Sequence, residues 1–535
     1  MTILNYFTPN THKPRESQIT ALEWIEKQSA KYIICEIPVG GGKSDIALTF
    51  AEYLNNGKNL PNGSYILTPQ KVLQHQYEKT FEHISPPILA TLYGKGNYKC
   101  ASRNTTCDIG GILKPKCSAC PHEYAKTLAK VRPHVVLNYK LALLLLGFTT
   151  IFKSTRKLMI FDECHNMEQE LTEFDSVLIS KKRCEKYNLP YKEFPNITLA
   201  FKWLQYTYLE ALLHLVDEMT EEYSYMLDSA YSVESNEDIK KIRELNSLSE
   251  HAGTIEALIT GSDVEQIEDL YVLIKDPNFI KFKRLSAAHS FQSILEPRAE
   301  KFLFLSSTVL DYKQFCADLG INEKETAFLS LDSEFPKEHR PIFYMPVMKM
   351  NASWKEDQNR TGRKELSSTL IKLLNDHHSS ESGIIHTANF AISKWIIGEL
   401  TDKIPHKIFH HNPDSGMERG MIIDGFQKND KPGLLISPSI TEGLDLFDDL
   451  SRFAIFAKVP FGFLGDEWIK RKMELSQQWY MRQALIEIIQ GSGRVVRSKN
   501  DWGTVYILDS SFGYLMNKTR YMIPKWWLEA FQQVY

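Results

Sequence analysis

The sequence predicts an α/β fold built from two separate parallel-sheet units, and three stretches carry that expectation. The first is Ile37-Pro38-Val39-Gly40-Gly41-Gly42-Lys43-Ser44, a glycine turn between a short apolar strand at 31–35 and a helical pattern over 45–54. The second is Lys157-Leu-Met-Ile-Phe161, a run apolar enough to be buried on both faces, ending in Asp162-Glu163-Cys164-His165. The third is a renewed alternation of strand and helix patterns from Gly383 to Leu508.

The glycine turn reads as a phosphate cradle. Its three glycines, Gly40, Gly41 and Gly42, let backbone N–H groups converge on an anion at the positive end of the following helix. Lys43 can reach the β/γ-phosphates, and the Ser44 hydroxyl can ligate Mg²⁺. The full G-x-x-x-x-G-K-[ST] pattern departs at its first position, where Ile37 stands, so this stretch alone leaves an ordinary Gly-rich turn open.

Length and composition bound the rest. A chain of 535 residues exceeds a single core and points to about three or four domains. With 43% apolar and 24% charged residues and a net charge of −3, no global field marks a polyanionic partner, so any such surface is local. The longest apolar run, 141–148, is too short to cross a bilayer, and the N-terminal residues lack signal-peptide character. The expectation is a cytoplasmic protein without membrane contact.

Four of the eight cysteines crowd together: Cys100, Cys107, Cys117 and Cys120, spaced C-x₆-C-x₉-C-x₂-C. In an intracellular chain of this size such a cluster reads as a metal site before a disulfide framework. Four thiolates can hold Zn²⁺ or a [4Fe–4S] cluster, and spacing does not choose. Zinc ribbons prefer two C-x₂-C knuckles and only one is present, which favours iron–sulfur. Lysines and arginines surround the cluster, with Tyr98 and Tyr124 interleaved, as in a surface that tracks phosphates and stacks bases.

In chain order, Gln18 precedes the glycine turn at a spacing from which a carboxamide can read an adenine edge. A strand at 64–67 ends in Thr68-Pro69-Gln70, at the sheet edge where α/β proteins bind ligands. Asp162 and Glu163 together would be costly unless they meet a cation: the Asp suits Mg²⁺, and the Glu can deprotonate a water. Residues 168–276 turn helical in period and acidic, and read as a helical insertion. Lys301-Phe-Leu-Phe-Leu305 returns to buried strand and ends in Ser306-Ser307-Thr308. Further on come Thr441-Glu442-Gly443-Leu444-Asp445 and Gln490-Gly-Ser-Gly493-Arg494-Val-Val-Arg497. Arg494 and Arg497, three apart, would share one helix face and suit a γ-phosphate.

These blocks stand in the order of superfamily 2 helicase motifs. With the cysteine cluster between the second and third, and a helical insertion after the Asp-Glu-Cys-His box, the chain resembles the XPD/DinG family of iron–sulfur DNA helicases almost end to end. The resemblance implies two RecA-like motor domains, with an iron–sulfur module and an arch-like helical insertion in the first. It divides the chain into motor domain 1 (1–91, 135–168 and 286–332), an iron–sulfur module (92–134), an arch (169–285) and motor domain 2 (333–535). It implies ATP-driven 5′→3′ movement on single-stranded DNA and unwinding of forked duplex by a monomer. By motif match Gln18, Gly40, Gly41, Gly42, Lys43, Ser44, Asp162 and Asp445 would bind ATP and Mg²⁺. Glu163 and Gln490 would handle the attacking water, Arg494 and Arg497 the γ-phosphate, and the four clustered cysteines the [4Fe–4S] group. Two departures stand out: Cys164 where the family carries Ala, and an unusually compact cysteine segment. An ATPase that translocates without separating strands, or a non-catalytic scaffold, are the alternative readings.

Overall fold

The computed structural model describes residues 1–8, 12–55, 63–102, 104–110, 117–152, 154–224, 236–410, 419–430, 432–438 and 448–534. Among them, short Ile/Val/Leu/Phe-rich runs form strands buried on both faces, the signature of parallel pairing. In the first part of the chain these are β1 (Tyr32–Glu36), β2 (Ser64–Thr68), β3 (Leu89–Thr91), β4 (His134–Asn138) and β5 (Arg156–Asp162). Three strands follow within the insertion: β6 (Val177–Ser180), β7 (Tyr271–Asp276) and β8 (Phe279–Arg284). The chain then returns with β9 (Ala299–Ser306) and β10 (Thr326–Ser330).

The first domain's sheet runs β10-β1-β9-β5-β2-β4-β3, every pair parallel. This order matters more than the count. It sets β1, β9 and β5 side by side, with Glu36 opposite Ser306 and Asp162 opposite Leu305. The glycine turn, the Ser-Ser-Thr end and the Asp-Glu pair thus leave the sheet at one edge, although 37 and 308 are far apart in sequence.

The second domain contains β11 (Ile342–Met348), β12 (Gly383–His386), β13 (Lys407–His410), β14 (Gly433–Ser437), β15 (Phe453–Phe456), β16 (Thr504–Asp509) and β17 (Phe531–Gln533). They form a parallel sheet ordered β13-β14-β12-β15-β16-β11-β17. Alternation along the strands gives each face its own core. Ala454, Phe456, Val505 and Ile507 pack under the helices Gln477–Ser492 and Ser511–Thr519. Ile455, Leu508 and Ile436 pack under Arg360–Lys372 and Phe390–Leu400 on the other side. Two parallel-sheet α/β domains are therefore present, as expected.

The insertion corrects one expectation. Residues 169–285 are not purely helical: β6, β8 and β7 form an antiparallel sheet at its two ends, closing a core that holds Phe201, Tyr208, Ile255 and Phe282. The signal was there in Phe279-Ile-Lys-Phe-Lys-Arg284, which buries alternate residues, preceded by a Pro277-Asn278 turn.

The cysteine segment is anchored by a two-residue bridge, Lys99 to Thr106, and by the helix Pro121–Val131. It also leans on the insertion, where Arg243 pairs with Asp108 at 3.1 Å and Ile109 packs against the insertion's core. No helix among the described residues is long and apolar enough to cross a membrane.

Candidate functional site

Between the two sheets lies a cavity of about 460 Å³, walled by both domains. The glycine turn forms its floor. Gly40 and Gly42 have φ of +78° and +73°, a backbone region that L side chains rarely adopt. A Cβ at Gly42 would stand 2.0 Å from Gln18 Nε2, and one at Gly40 would meet Phe335 at 2.6 Å. The turn is braced from beneath. The Arg15 guanidinium donates to the Gly40 carbonyl, and Gln18 Nε2 donates to Asp45 Oδ2 at 2.9 Å.

That bracing shows where Gln18 sits in this structure. Its side chain is fully buried, is absent from the cavity wall, and accepts the Arg15 N–H at 2.9 Å. In this arrangement the carboxamide holds the glycine turn from below.

Lys43, Ser44, Asp162 and Glu163 all line the cavity. Lys43 Nζ sits 2.9 Å from Glu163 Oε1. Burial opposes the Lys43 charge, but the Glu163 and Asp162 carboxylates more than offset it and raise its pKa. Burial likewise opposes the Glu163 carboxylate, and Lys43 and His165 bring it below the usual range. Asp162 is pushed up to about 6, first by burial and then by the Glu163 charge. Its Oδ2 accepts from the buried Tyr77 hydroxyl at 3.1 Å, and its Oδ1 from the Glu163 N–H at 3.0 Å. Glu163 itself is left-handed, φ +50°, a costly conformation for a non-glycine residue that aims its side chain back over Lys43.

The second domain reaches the same cavity through the end of the helix Gln477–Ser492. Gln490 Nε2 donates to Thr308 Oγ1 at 2.8 Å and lies 2.7 Å from His165 Nε2, whose Nδ1 in turn meets Ser306 Oγ at 2.9 Å. The chain of contacts thus joins Gln490, His165 and the Ser-Ser-Thr end. Arg494 and Arg497 also line the cavity, but not for the reason given by helical spacing. The helix stops at Ser492, and both arginines lie in the irregular segment beyond it. Asp501 holds that segment in place, accepting the Arg497 N–H at 2.7 Å while pairing with Arg452. Asp445, with 441–444, lies outside the described residues.

Sequence reasoning missed two supporting residues, Tyr77 behind Asp162 and Asn166 on the cavity wall. Tyr77 looks like one more apolar position of a helix, and its contact with Asp162 spans 85 positions, so no local signal marks it.

The four clustered cysteines are free thiols. Cys107 and Cys120 bring their sulfurs to 3.9 Å, too long for a disulfide and close enough to share a metal group. Backbone N–H groups at the start of the helix Pro121–Val131, that of Glu123 first, lower the Cys120 thiol pKa and favour the thiolate that a metal needs. The donor chemistry fits a thiolate-held metal or cluster. Among the described residues, however, no three Cys, His, Asp or Glu side chains converge in metal-holding geometry.

Comparison with known proteins agrees with this arrangement. Residues 377–530 match the helicase C-terminal domain family, and 11–199 match the type III restriction enzyme res subunit family. The ATP-dependent DNA helicase DinG of Photobacterium profundum is 25% identical over 252 residues, covering 43% of this chain and 34% of that protein. The regulator of telomere elongation helicase 1 homolog of Caenorhabditis elegans is 30% identical over 103 residues, 16% of this chain and 10% of that one. The chain thus spans about a third or less of these relatives. Among solved structures, an XPD helicase superposes with a TM-score of 0.63 at 14% identity, covering 98% of this chain and all of that one. The S. tokodaii Xpd4 structure gives 0.57 at 13%, over 97% of this chain and 100% of that one. In motif order, in fold and in relatives, the chain is similar to the XPD/DinG-like superfamily 2 helicases.

Proposed function

We propose that the chain is an ATP-driven DNA helicase that moves 5′→3′ on single-stranded DNA and opens forked duplex. One observation carries this reading: Lys43, Asp162, Glu163, Gln490, Arg494 and Arg497 line one cavity, although two domains supply them. ATP hydrolysis needs a phosphate cradle, a base for water and positive charge on the γ-phosphate, and a cavity between two domains couples all three to domain movement.

The roles follow from position. The glycine turn and Lys43 take the phosphates, and Ser44 with Asp162 would hold Mg²⁺, which when bound neutralises charge across the β- and γ-phosphates. The Lys43–Glu163 ion pair lies over the cradle, and phosphate entry draws Lys43 away. Glu163 is then free to take a proton from the attacking water. Gln490 stays tied to His165 and Thr308 and can orient that water only with the domains together. Arg494 and Arg497 face the cradle from the opposite domain and stabilise charge on the departing phosphoryl group. Asp445 would add a further contact.

Cys100, Cys107, Cys117 and Cys120 would hold a [4Fe–4S] cluster that folds an otherwise coreless segment, and the insertion would be the arch over the strand's path. The test of direction is strand displacement on duplexes with a 5′ or a 3′ single-stranded tail. Unwinding of the 5′-tailed substrate alone is expected, and preference for the 3′ tail overturns the polarity. DNA-stimulated ATPase with neither substrate unwound would favour the translocase reading.

A further inference from the structure

We infer that the outer face of the second domain carries a separate binding groove for single-stranded nucleic acid, centred on Trp395 and flanked by Arg360, Arg363, Lys364 and Lys394. It rests on the DNA-motor reading above and extends it to a surface outside the cleft. The groove is a cavity of about 620 Å³ between the helices Arg360–Lys372 and Phe390–Leu400. Both helices belong to the core on the sheet face turned away from the first domain, whereas Arg494 and Arg497 follow the helix on the opposite face. The groove is therefore distinct from the ATP cavity.

Its chemistry is one-sided. Arg360, Lys364 and Lys394 have no ion pair among the described residues and are exposed. Arg363 is pinned to the wall by the Trp354 and Glu356 carbonyls at 3.0 and 3.3 Å. The one carboxylate on the wall, Glu399, is already engaged by Ser367 at 2.9 Å and by Lys403 at 3.8 Å. The first turn of Arg360–Lys372 contains no acid and starts without a side-chain cap, so cations crowd the positive end of a helix. That arrangement is unfavourable until an anion arrives.

The aromatic half selects the kind of anion. Trp354 is buried and backs the half-buried Trp395, with ring centroids 5.3 Å apart. A tryptophan held rigidly among cations offers a base-stacking platform beside a phosphate track, the combination by which proteins hold unpaired strands. An acidic peptide would use the cations and leave the indole without a partner. Both helices start at the carboxyl edge of the sheet, Phe390–Leu400 directly after β12, the edge at which α/β domains present ligand sites.

The test is binding of a fluorescent oligothymidylate by the full chain across a salt series. Lys364→Ala/Lys394→Ala removes only exposed charge. It is expected to weaken binding about tenfold at low salt and to lower the salt slope by about 1.4, near 0.7 per lost phosphate contact on a single strand. Trp395→Ala is expected to weaken binding about tenfold with the slope unchanged. ATP-analogue binding should stay at the wild-type level in the double-lysine variant. Wild-type affinity and slope in that variant overturn the groove while leaving the motor reading intact. A wild-type chain that binds no oligonucleotide overturns both. Loss of polyglutamate binding, with oligothymidylate binding unchanged, would assign the groove to an acidic protein instead.

Discussion

Gln490 and Thr308, one from each domain, are joined by a 2.8 Å hydrogen bond beside the cavity between the domains. Gln490 also meets His165, two residues from Glu163, so it links the second domain to the strand end that carries Asp162 and Glu163. Gln490→Ala is expected to lower the rate of ATP hydrolysis about a hundredfold with nucleotide affinity near wild type. An affinity loss as large as the rate loss would instead make Gln490 a binding residue.

The same helix is tied down at its other end. Trp479 Nε1 donates to Glu168 Oε2 at 2.7 Å, Lys472 of the preceding helix pairs with Glu168, and Arg482 reaches Asp318 at 3.2 Å. All four charged groups are buried, so removing one leaves its partner uncompensated. Lys472→Met is expected to lower the thermal midpoint by several degrees. A midpoint equal to wild type would show that the network contributes nothing to domain packing.

Asp318 also makes stability pH-dependent. Burial first, and then the Glu168 carboxylate, push it up to about 6 against the pull of Arg482 and Lys472. A carboxyl group raised in the folded state binds more protons there than when unfolded. Its contribution is fully present below the ordinary Asp value and is lost as pH rises through about 6. Asp318→Asn should therefore flatten the stability profile between about pH 4 and about 6, as read by urea unfolding. Parallel profiles for the two proteins would contradict this.

Much of the site was legible because its residues sit at the carboxyl ends of strands, where apolar runs give way to Gly, Asp, Glu and Ser. Gly40 to Ser44 and Asp162-Glu163 announced themselves in this way. What the sequence could not show was anything decided by packing across long separations. Gln18 contacts Asp45 and the Arg15 N–H beneath the glycine turn, and the Asp45 contact is one no local pattern marks. Arg494 and Arg497 share a wall through the Asp501 anchor rather than through helical spacing. The antiparallel strands of the insertion were masked by the long helical stretches between β6 and β7.

The glycine turn permits a sharper test of geometry. Gly42→Ala places a Cβ at φ +73° and within 2.0 Å of Gln18 Nε2. The left-handed backbone alone costs roughly 1–2 kcal/mol. Nucleotide binding is expected to fall by more than that, because relief moves Gln18 and with it the whole turn. A Gly42→Ala protein with wild-type affinity would show that the turn needs no glycine there.

Metal analysis separates the two thiolate chemistries. Protein purified without oxygen is expected to contain about four irons with matching sulfide, and Cys117→Ser to lose them while retaining ATP-analogue binding. Colourless protein with one zinc would replace the cluster and leave the motor untouched.

The central claim is that the cavity between the domains hydrolyses ATP in response to DNA. The measurement is steady-state ATP hydrolysis with and without single-stranded DNA, for the wild type and for Glu163→Gln. Strong DNA stimulation of the wild type is expected, together with a variant that binds nucleotide but does not turn over, because Glu163, paired with Lys43 on the cavity wall, is proposed as the base. A Glu163→Gln protein that hydrolyses ATP at the wild-type rate, or a wild type indifferent to DNA, would contradict it.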